Sequence, residues 1–484
     1  MVVEEAPASE APVAGEPVEP VEPGAVGLLP VVPVVVSGRS AGAVAELASR
    51  LNESVRSDRL VDVGLSSVVS RSVFEHRSVV LAEDSAELHT GLVAVGTGVP
   101  SPGVVSGVAS VEGGRSVFVF PGQGTQWAGM ALGLWAESAV FAESMARCEA
   151  AFAGLVDWRL ADVLGDRSAL ERVDVVQPAS FAVMVSLAEL WRSLGVVPDA
   201  VVGHSQGEIA AAVVAGGLSL EDGARVVVLR ARLIGRELAG HGGMASVALP
   251  VAVVEERLAA WAGRLGVAVV NAPSATVVAG DVDAVAEFVT ACEVEGVRAR
   301  VLPVDYASHS AHVEELRAEL EQILAGIDPV AGETPLYSTV EAGVVDTASM
   351  DAGYWFRNLR RPVRFQETVE RLLADGFRVF VECGAHPVLT GAVQETAEST
   401  GRQVCAVGSL RRDEGGLRRF LTSAAEAFVQ GVEVSWPVLF DGTGARTVDL
   451  PTYPFQRRRY WLESRPPAAV VPSGVQDGLS YEVV

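Results

Sequence analysis

Ala200-Val201-Val202-Gly203-His204-Ser205-Gln206-Gly207-Glu208-Ile209-Ala210-Ala211-Ala212-Val213-Val214 joins an apolar run to a helix-like run through a G-x-S-x-G turn. At such an elbow the glycines leave room for a sharp strand-to-helix bend. The bend exposes the serine oxygen beside helix N-terminal N–H groups able to hold an oxyanion. The pattern predicts a strand feeding a helix, hence an α/β sheet, and makes Ser205 the candidate nucleophile of an acyl-enzyme. A Gly-rich turn with a buried serine is the plainer alternative on the motif alone.

The 484 residues, 49% hydrophobic and 20% charged, exceed one ordinary domain and suit two or three packed units. A net charge of -24 argues against sequence-independent nucleic-acid binding, which needs a basic surface. The chain has no lysine, so its 37 basic residues are all arginine. That excludes a Walker-type phosphate loop, a Schiff-base enzyme and a pyridoxal-phosphate lysine. Cys148, Cys292, Cys383 and Cys405 are far apart and form no C-x-x-C pair. They read as reduced core residues, with no metal site and no disulfide framework expected. No secretory signal is legible, and the apolar runs are broken by Gly, Pro or charge short of a membrane span. The expectation is a cytoplasmic protein without a membrane partner.

Residues 1–30 alternate Pro, Glu, Ala and Val, as in Glu16-Pro17-Val18-Glu19-Pro20-Val21-Glu22-Pro23, and read as a flexible, extended linker. Strand (31–37), helix (41–51), helix (60–69), strand (78–81) and a helix capped by Asp84, with Glu87 three residues on, make a small α/β unit. Followed by a Gly-, Ser- and Pro-rich second linker over 93–114, it forms a first domain, 31–114. Val117-Phe118-Val119-Phe120, ended by Pro121-Gly122-Gln123-Gly124, then opens a larger unit, 115–242 and 305–409. Its expected fold class is α/β with a hydrolase-like, mostly parallel sheet core. Residues 243–304 change pattern to strand, helix (251–265), two strands, helix (282–293) and strand (298–304). This is the βαββαβ order of a ferredoxin-like small subdomain. A helix is expected over 311–327, a polar, Arg-rich linker over 410–462 and a Pro-containing tail over 463–484.

An activated serine needs a base, and His76, His89, His204, His241, His309, His312 and His386 compete for the role. Neighbours in a strand point to opposite faces, so His204 should turn away from the Ser205 oxygen. His76 and His89 lie in the leading unit, His241 in a Gly-flanked turn, and His386 before Pro387. His309 follows an apolar strand, and strand ends deliver catalytic groups in α/β folds. It is the first candidate and His312 the second, with geometry to decide. Arg230 stands inside an apolar helical pattern, where an unpaired guanidinium is costly and calls for an anion. An Asp or Glu of the protein itself is the structural alternative.

Phe120-Pro121-Gly122-Gln123-Gly124-Thr125-Gln126-Trp127, the Ser205 elbow, Arg230 in Val228-Leu229-Arg230, and Tyr306-Ala307-Ser308-His309 occur in a telling order and spacing. In both, the chain resembles acyltransferase domains of modular type I polyketide synthases, over nearly its whole length. Residues 31–114 resemble the ketosynthase-to-acyltransferase linker domain. Leu450-Pro451-Thr452-Tyr453-Pro454-Phe455-Gln456-Arg457-Arg458-Arg459-Tyr460-Trp461 resembles the post-acyltransferase linker, and Val2-Val3-Glu4-Glu5-Ala6-Pro7 the end of a ketosynthase. The resemblance implies a piece of a longer synthase whose tail leads to the next domain.

The resemblance also implies roles. Ser205 would attack an acyl-CoA thioester, with His309 taking and returning the proton. The backbone N–H groups of Gln123 and Gln206 would form the oxyanion hole, Arg230 would grip the free carboxylate of a malonyl-type substrate, and Asn358 would support the histidine. For Gln123 a plain turn residue is the alternative. Asp305 reads as a turn or capping group, which leaves no triad acid. Tyr306, Ala307, Ser308 and Gln206, with Arg172-Val173-Asp174-Val175-Val176-Gln177-Pro178 upstream, resemble the methylmalonyl-selecting form. Ala307-Ser308 would leave room for an α-methyl branch. One methyl is worth ~1–3 kcal/mol, so malonyl is disfavoured rather than refused and ethylmalonyl stays open.

No cofactor bound to this domain is expected. Methylmalonyl-CoA is the expected substrate and the phosphopantetheine thiol of an acyl carrier protein the expected acceptor, with the ketosynthase and other synthase domains as neighbours. A serine hydrolase is the first rival, disfavoured by Arg230 and the missing acid. An inactive docking piece is the second, disfavoured by the complete set of catalytic residue types. Arg357, Arg360, Arg361 and Arg364 are candidates for a carrier-facing rim, or else paired surface charges.

Overall fold

The computed structural model describes residues 29–456 apart from 56, 57 and 112. The expectations for the extreme ends, and for Arg457 to Trp461 of the final motif, therefore fall on residues outside those described.

The leading unit holds strands β1 (Val32–Gly38) and β2 (His76–Ala82) and the helices Ala41–Ser54, Leu60–Val69 and Ser85–Thr97. Asp84 caps the third helix, accepting from the N–H groups of Ala86 and Glu87 at 2.9 and 2.8 Å, while the Glu87 carboxylate accepts from Glu83 N–H. The stretch 93–114 is not merely a linker. The third helix runs to Thr97, and strand β3 (Val104–Val108) completes an antiparallel sheet in the order β1-β2-β3. Its small residues serve packing: a Cβ on Gly107 would stand 2.9 Å from the Val429 side chain of a helix that crosses it.

The large unit begins with β4 (Arg115–Phe120) and β5 (Ala200–Gly203), separated by the helix Val173–Ser193. That helix is apolar and long enough to cross a membrane, but 89% of its most apolar stretch is buried against the protein, as in a core helix. The inserted subdomain follows as β6 (Gly243–Val247), helix Val251–Leu258, β7 (Leu265–Ala272), β8 (Ala275–Gly280), helix Val282–Val294 and β9 (Ala299–Val301). The chain then returns through β10 (Leu336–Ser338), β11 (Gly343–Val345), β12 (Val363–Arg364), β13 (Phe377–Glu382) and β14 (Cys405–Gly408).

The main sheet runs β11-β10-β5-β4-β13-β14, parallel throughout except for β11. The small sheet runs β12-β7-β8-β6-β9; its β6 to β9 form the βαββαβ subdomain, and β12 adds in parallel to β7, tying the subdomain to the large unit. Strand β9 is shorter than the expected 298–304, and the helix expected over 311–327 is a 3-10 turn, Ala311–Leu316, followed by Arg317–Ile323. His309 therefore sits in an irregular connection rather than at a strand end.

The region after 410 contains the helix Leu417–Gln430, which packs against β2, β3 and β14 and so bridges the leading unit and the main sheet. Its buried face includes Leu417, Phe420, Leu421, Ala424, Phe428 and Val429. Trp191 lies 4.9 Å from Phe420, ring to ring, and the Arg77 guanidinium donates to the Phe428 carbonyl. All four cysteines are free and buried.

Candidate active site

The elbow depends on absent side chains. A Cβ on Gly203 would lie 2.2 Å from the Cα of Glu208, and one on Gly207 2.1 Å from the Phe120 carbonyl oxygen, so any other residue collides with backbone. Ser205 itself sits in the left-handed region, φ 54°, a strained conformation for a non-glycine residue held by the turn around it. The Glu208 and Ile209 amides close back onto the Ser205 and Gln206 carbonyls as the helix Gly207–Val214 begins.

His309 also has a left-handed backbone, φ 57°, and its Nε2 stands 2.8 Å from Ser205 Oγ. Nδ1 lies 2.8 Å from the Arg361 carbonyl oxygen, which accepts only, so the proton is on Nδ1 and Nε2 is left to accept from the serine. Burial lowers the His309 pKa to about 3, with His204 and Arg230 adding to the effect and the Arg361 carbonyl opposing it. The imidazole is therefore neutral in the resting site.

The other histidines make no hydrogen bond to Ser205 Oγ among the described residues, although His204 lines the same cavity. His312 meets Asp281 at 3.0 Å, His204 turns to Asn271 at 2.9 Å, His89 meets Asn52, and His386 accepts from Arg412 N–H. Among the described residues Asp305 makes no hydrogen bond to the His309 ring; its carbonyl accepts from Gly240 N–H.

Among the described residues Asn358 makes no hydrogen bond to the His309 ring. Its Nδ2 donates to the Ser205 carbonyl at 3.2 Å and to Glu208 Oε2 at 2.7 Å, and its Oδ1 accepts from Arg230 Nη1 at 2.7 Å. The support comes instead from the backbone of Arg361. Helix Ala352–Arg360 stops there because Pro362 forces its predecessor into an extended conformation, which turns the carbonyl out toward the imidazole.

Arg230, on helix Leu220–Glu237, is 1% exposed; among the described residues it meets no carboxylate directly and its Nε has no partner. Burial lowers its pKa to about 10, so it stays charged at neutral pH. Arg230, Ser205 and His309 share a cavity of about 510 Å³ lying between the main sheet and the small subdomain. Gln123, Gln206, Tyr306 and Ser308 also line it. The Gln123 and Gln206 backbone N–H groups have no hydrogen-bond acceptor among the described residues, and the buried Gln206 amide has no partner at either end. Tyr306 donates to Gln123 Oε1 at 2.7 Å and accepts from Gln177 Nε2 at 3.2 Å, and Ser308 meets the Met244 sulfur.

Ala307 does not line the cavity. Its methyl packs toward Gly242, where an added Cβ would come within 2.7 Å of it. Tyr306 and Ser308 do line the cavity, together with the subdomain's Met244, Val269 and Val277. Sequence reasoning missed these subdomain residues, which carry no local signal. It also missed Glu208, although a carboxylate in an otherwise apolar helical run was as legible a sign as Arg230. The four arginines named as candidates for a rim each face a glutamate: Arg360 meets Glu314, Arg357 and Arg361 meet Glu341, and Arg364 meets Glu367.

A strained serine, a neutral imidazole beside it, free backbone donors and a buried cation in one cavity form an acyl-transfer site. The model of the family described as "Acyl transferase domain" matches residues 117–434. The chain is 50% identical over 474 residues to polyketide synthase GfsE of Streptomyces halstedii, covering 96% of this chain and 12% of that protein. It is 48% identical over 469 residues to erythronolide synthase EryA3 of Saccharopolyspora erythraea, covering 96% and 14%. The acyltransferase domain from module 8 of the salinomycin polyketide synthase superposes with a TM-score of 0.82 at 51% identity, covering 84% of this chain and 98% of that one. The chain spans a small part of each of these curated relatives and nearly the whole of a solved domain; it belongs to the acyl transferase domain family, in the form carried by modular polyketide synthases.

Proposed function

We propose that the domain transfers a carboxylated extender unit, methylmalonyl, from CoA to Ser205 and then to the phosphopantetheine thiol of an acyl carrier protein. The observation that carries this reading is Arg230, buried and, among the described residues, free of any direct carboxylate partner in the cavity that holds Ser205 and His309. Its planar fork suits two parallel bonds to a substrate carboxylate. As His309 Nε2 takes the Ser205 proton, Oγ attacks the thioester carbonyl and the charge on oxygen develops against the Gln123 and Gln206 N–H groups. Collapse of that intermediate breaks the carbon–sulfur bond, and imidazolium returns the proton to the leaving thiolate. The carrier thiol repeats the sequence in reverse, giving a ping-pong cycle.

A carbonyl behind His309 stabilises imidazolium less than a triad carboxylate does. That suits a thiolate leaving group, which needs little proton assistance, and it disfavours the hydrolase reading. Methylmalonyl over malonyl rests on Tyr306, Ser308 and Gln206, with Ala307 acting only indirectly through the packing behind them. Residues 31–114 and the segment after 410 are read as the linkers to a preceding ketosynthase and a following domain, in a cytoplasmic synthase. Brief incubation with a mixture of malonyl-, methylmalonyl- and ethylmalonyl-CoA, followed by mass spectrometry, tests the reading: the methylmalonyl adduct on Ser205 is expected to dominate. A dominant malonyl or ethylmalonyl adduct overturns the selectivity, and free acid without adduct or transfer overturns the acyltransferase.

A further inference from the structure

Glu208 is a completely buried carboxylate that the reaction above does not use. It stands three residues after the nucleophile, in a helix whose other side chains are Ile, Ala and Val. Burial pushes its pKa up, and the hydrogen bonds from Thr339, Tyr354 and Asn358 offset this only in part. Oε1 accepts from the Thr339 backbone N–H and faces the Thr339 hydroxyl at 3.0 Å; Oε2 accepts from Tyr354 OH at 2.9 Å and Asn358 Nδ2 at 2.7 Å. Every neighbour can donate, which is the surrounding an ionised carboxylate requires.

The far end of the same Asn358 amide accepts from Arg230 Nη1 at 2.7 Å. The buried Glu208 carboxyl and the buried Arg230 guanidinium therefore stand at the two ends of one amide. An amide has a donor end and an acceptor end, and the carboxylate dictates which faces which: Nδ2 toward Glu208, Oδ1 toward the guanidinium. A direct Arg–Glu pair would occupy the guanidinium fork. A bridged pair keeps the compensating charge close enough to lower the cost of burying Arg230, yet leaves Nε without a protein partner. The same Nδ2 also reaches the Ser205 carbonyl at 3.2 Å, so the bridge is anchored to the nucleophile's own backbone.

We propose that Glu208 and Asn358 are positioning residues that hold Arg230 charged, oriented and unoccupied until a substrate carboxylate arrives. This rests on reading Arg230 as the carboxylate-binding residue.

The test compares self-acylation of the full chain by methylmalonyl-CoA and by acetyl-CoA, as the ratio of kcat/KM values. Glu208→Gln retains the shape but places an amide N–H among donors, so Asn358 turns or loses a bond and Arg230 is released. The ratio should fall about tenfold, the scale of one lost coupling between contacting polar groups, chiefly through the KM of the carboxylated substrate. Asn358→Ala should lower it similarly, and Glu208→Asp should restore part of it. In an Arg230→Ala background neither change should move the ratio further.

If Glu208→Gln and Asn358→Ala depress both substrates equally, the two residues are structural and the proposal is overturned. If Arg230→Ala itself leaves the ratio unchanged, it is the carboxylate reading of Arg230 that fails. Should Glu208→Gln not fold, Asn358→Ala decides alone, because it removes the bridge without leaving a neutral group among the carboxylate's donors.

Discussion

Ser205 and His309 are a pair made of strained backbones, with φ of 54° and 57°, and one 2.8 Å hydrogen bond. Ser205→Ala should abolish mass labelling by acyl-CoA. His309→Ala should suppress it by orders of magnitude, and the double variant should be no worse than either single one, because the two act as a unit. Normal labelling of Ser205→Ala would sink the assignment. The pH dependence has a defined sign. The folded His309 pKa lies at about 3, below the ordinary value of 6.5, so the native site stays neutral where an unfolded chain takes up a proton. This contribution to stability is fully present above pH ~6.5 and is lost as pH falls toward the folded value. The acylation rate, kcat/KM against pH, should show no inflection near 6.5, and its acidic limb should follow unfolding measured by circular dichroism over the same range. An inflection at 6.5 in a protein still folded would mean that the imidazole is solvated in the working enzyme.

At the scale of elements, the strand–elbow–helix unit shows why a local motif is reliable. Replacing Gly by Ala in a helix ordinarily gains about 0.5–1 kcal/mol. At Gly207 the added methyl meets the Phe120 carbonyl at 2.1 Å, so the sign reverses. Gly207→Ala should lower the melting temperature and Ser205 labelling together, by driving β4 from β5; an unchanged melting temperature would show that the bend can open without cost. The βαββαβ insertion was equally legible, since its hydrophobic period alternates between two and 3.6 within sixty residues. The stretch 93–114 was not legible. Gly and Ser mark a loop in composition, but Gly107 is small because a helix more than three hundred residues later presses on it.

For the whole molecule, the helix Leu417–Gln430 joins the leading unit to the main sheet, so the expected polar linker after 410 is in part a core element. Phe428, 4% exposed, packs on Trp436 at 5.7 Å and under the Arg77 guanidinium at 5.0 Å. Phe428→Ala should cost about 3–5 kcal/mol and raise hydrogen exchange in β2 and β3 before the elbow is affected. Exchange rising uniformly would show one cooperative body instead of two joined ones. Sequence alone determined what depends on short-range sterics and hydrogen bonding: the glycine-flanked elbow, the Asp84 cap, the alternation that builds a parallel sheet, and an arginine out of place in an apolar helix. Tertiary structure decided what depends on which distant backbones meet. It chose His309 over His312, and it set behind that histidine the carbonyl of Arg361, an atom every residue possesses and no motif advertises. It gave Asn358 to Arg230 and Glu208, and it turned Ala307 away from the cavity it was expected to shape. The division follows from range: a residue's type limits the bonds it can make, but only the packed fold brings a partner within 3 Å.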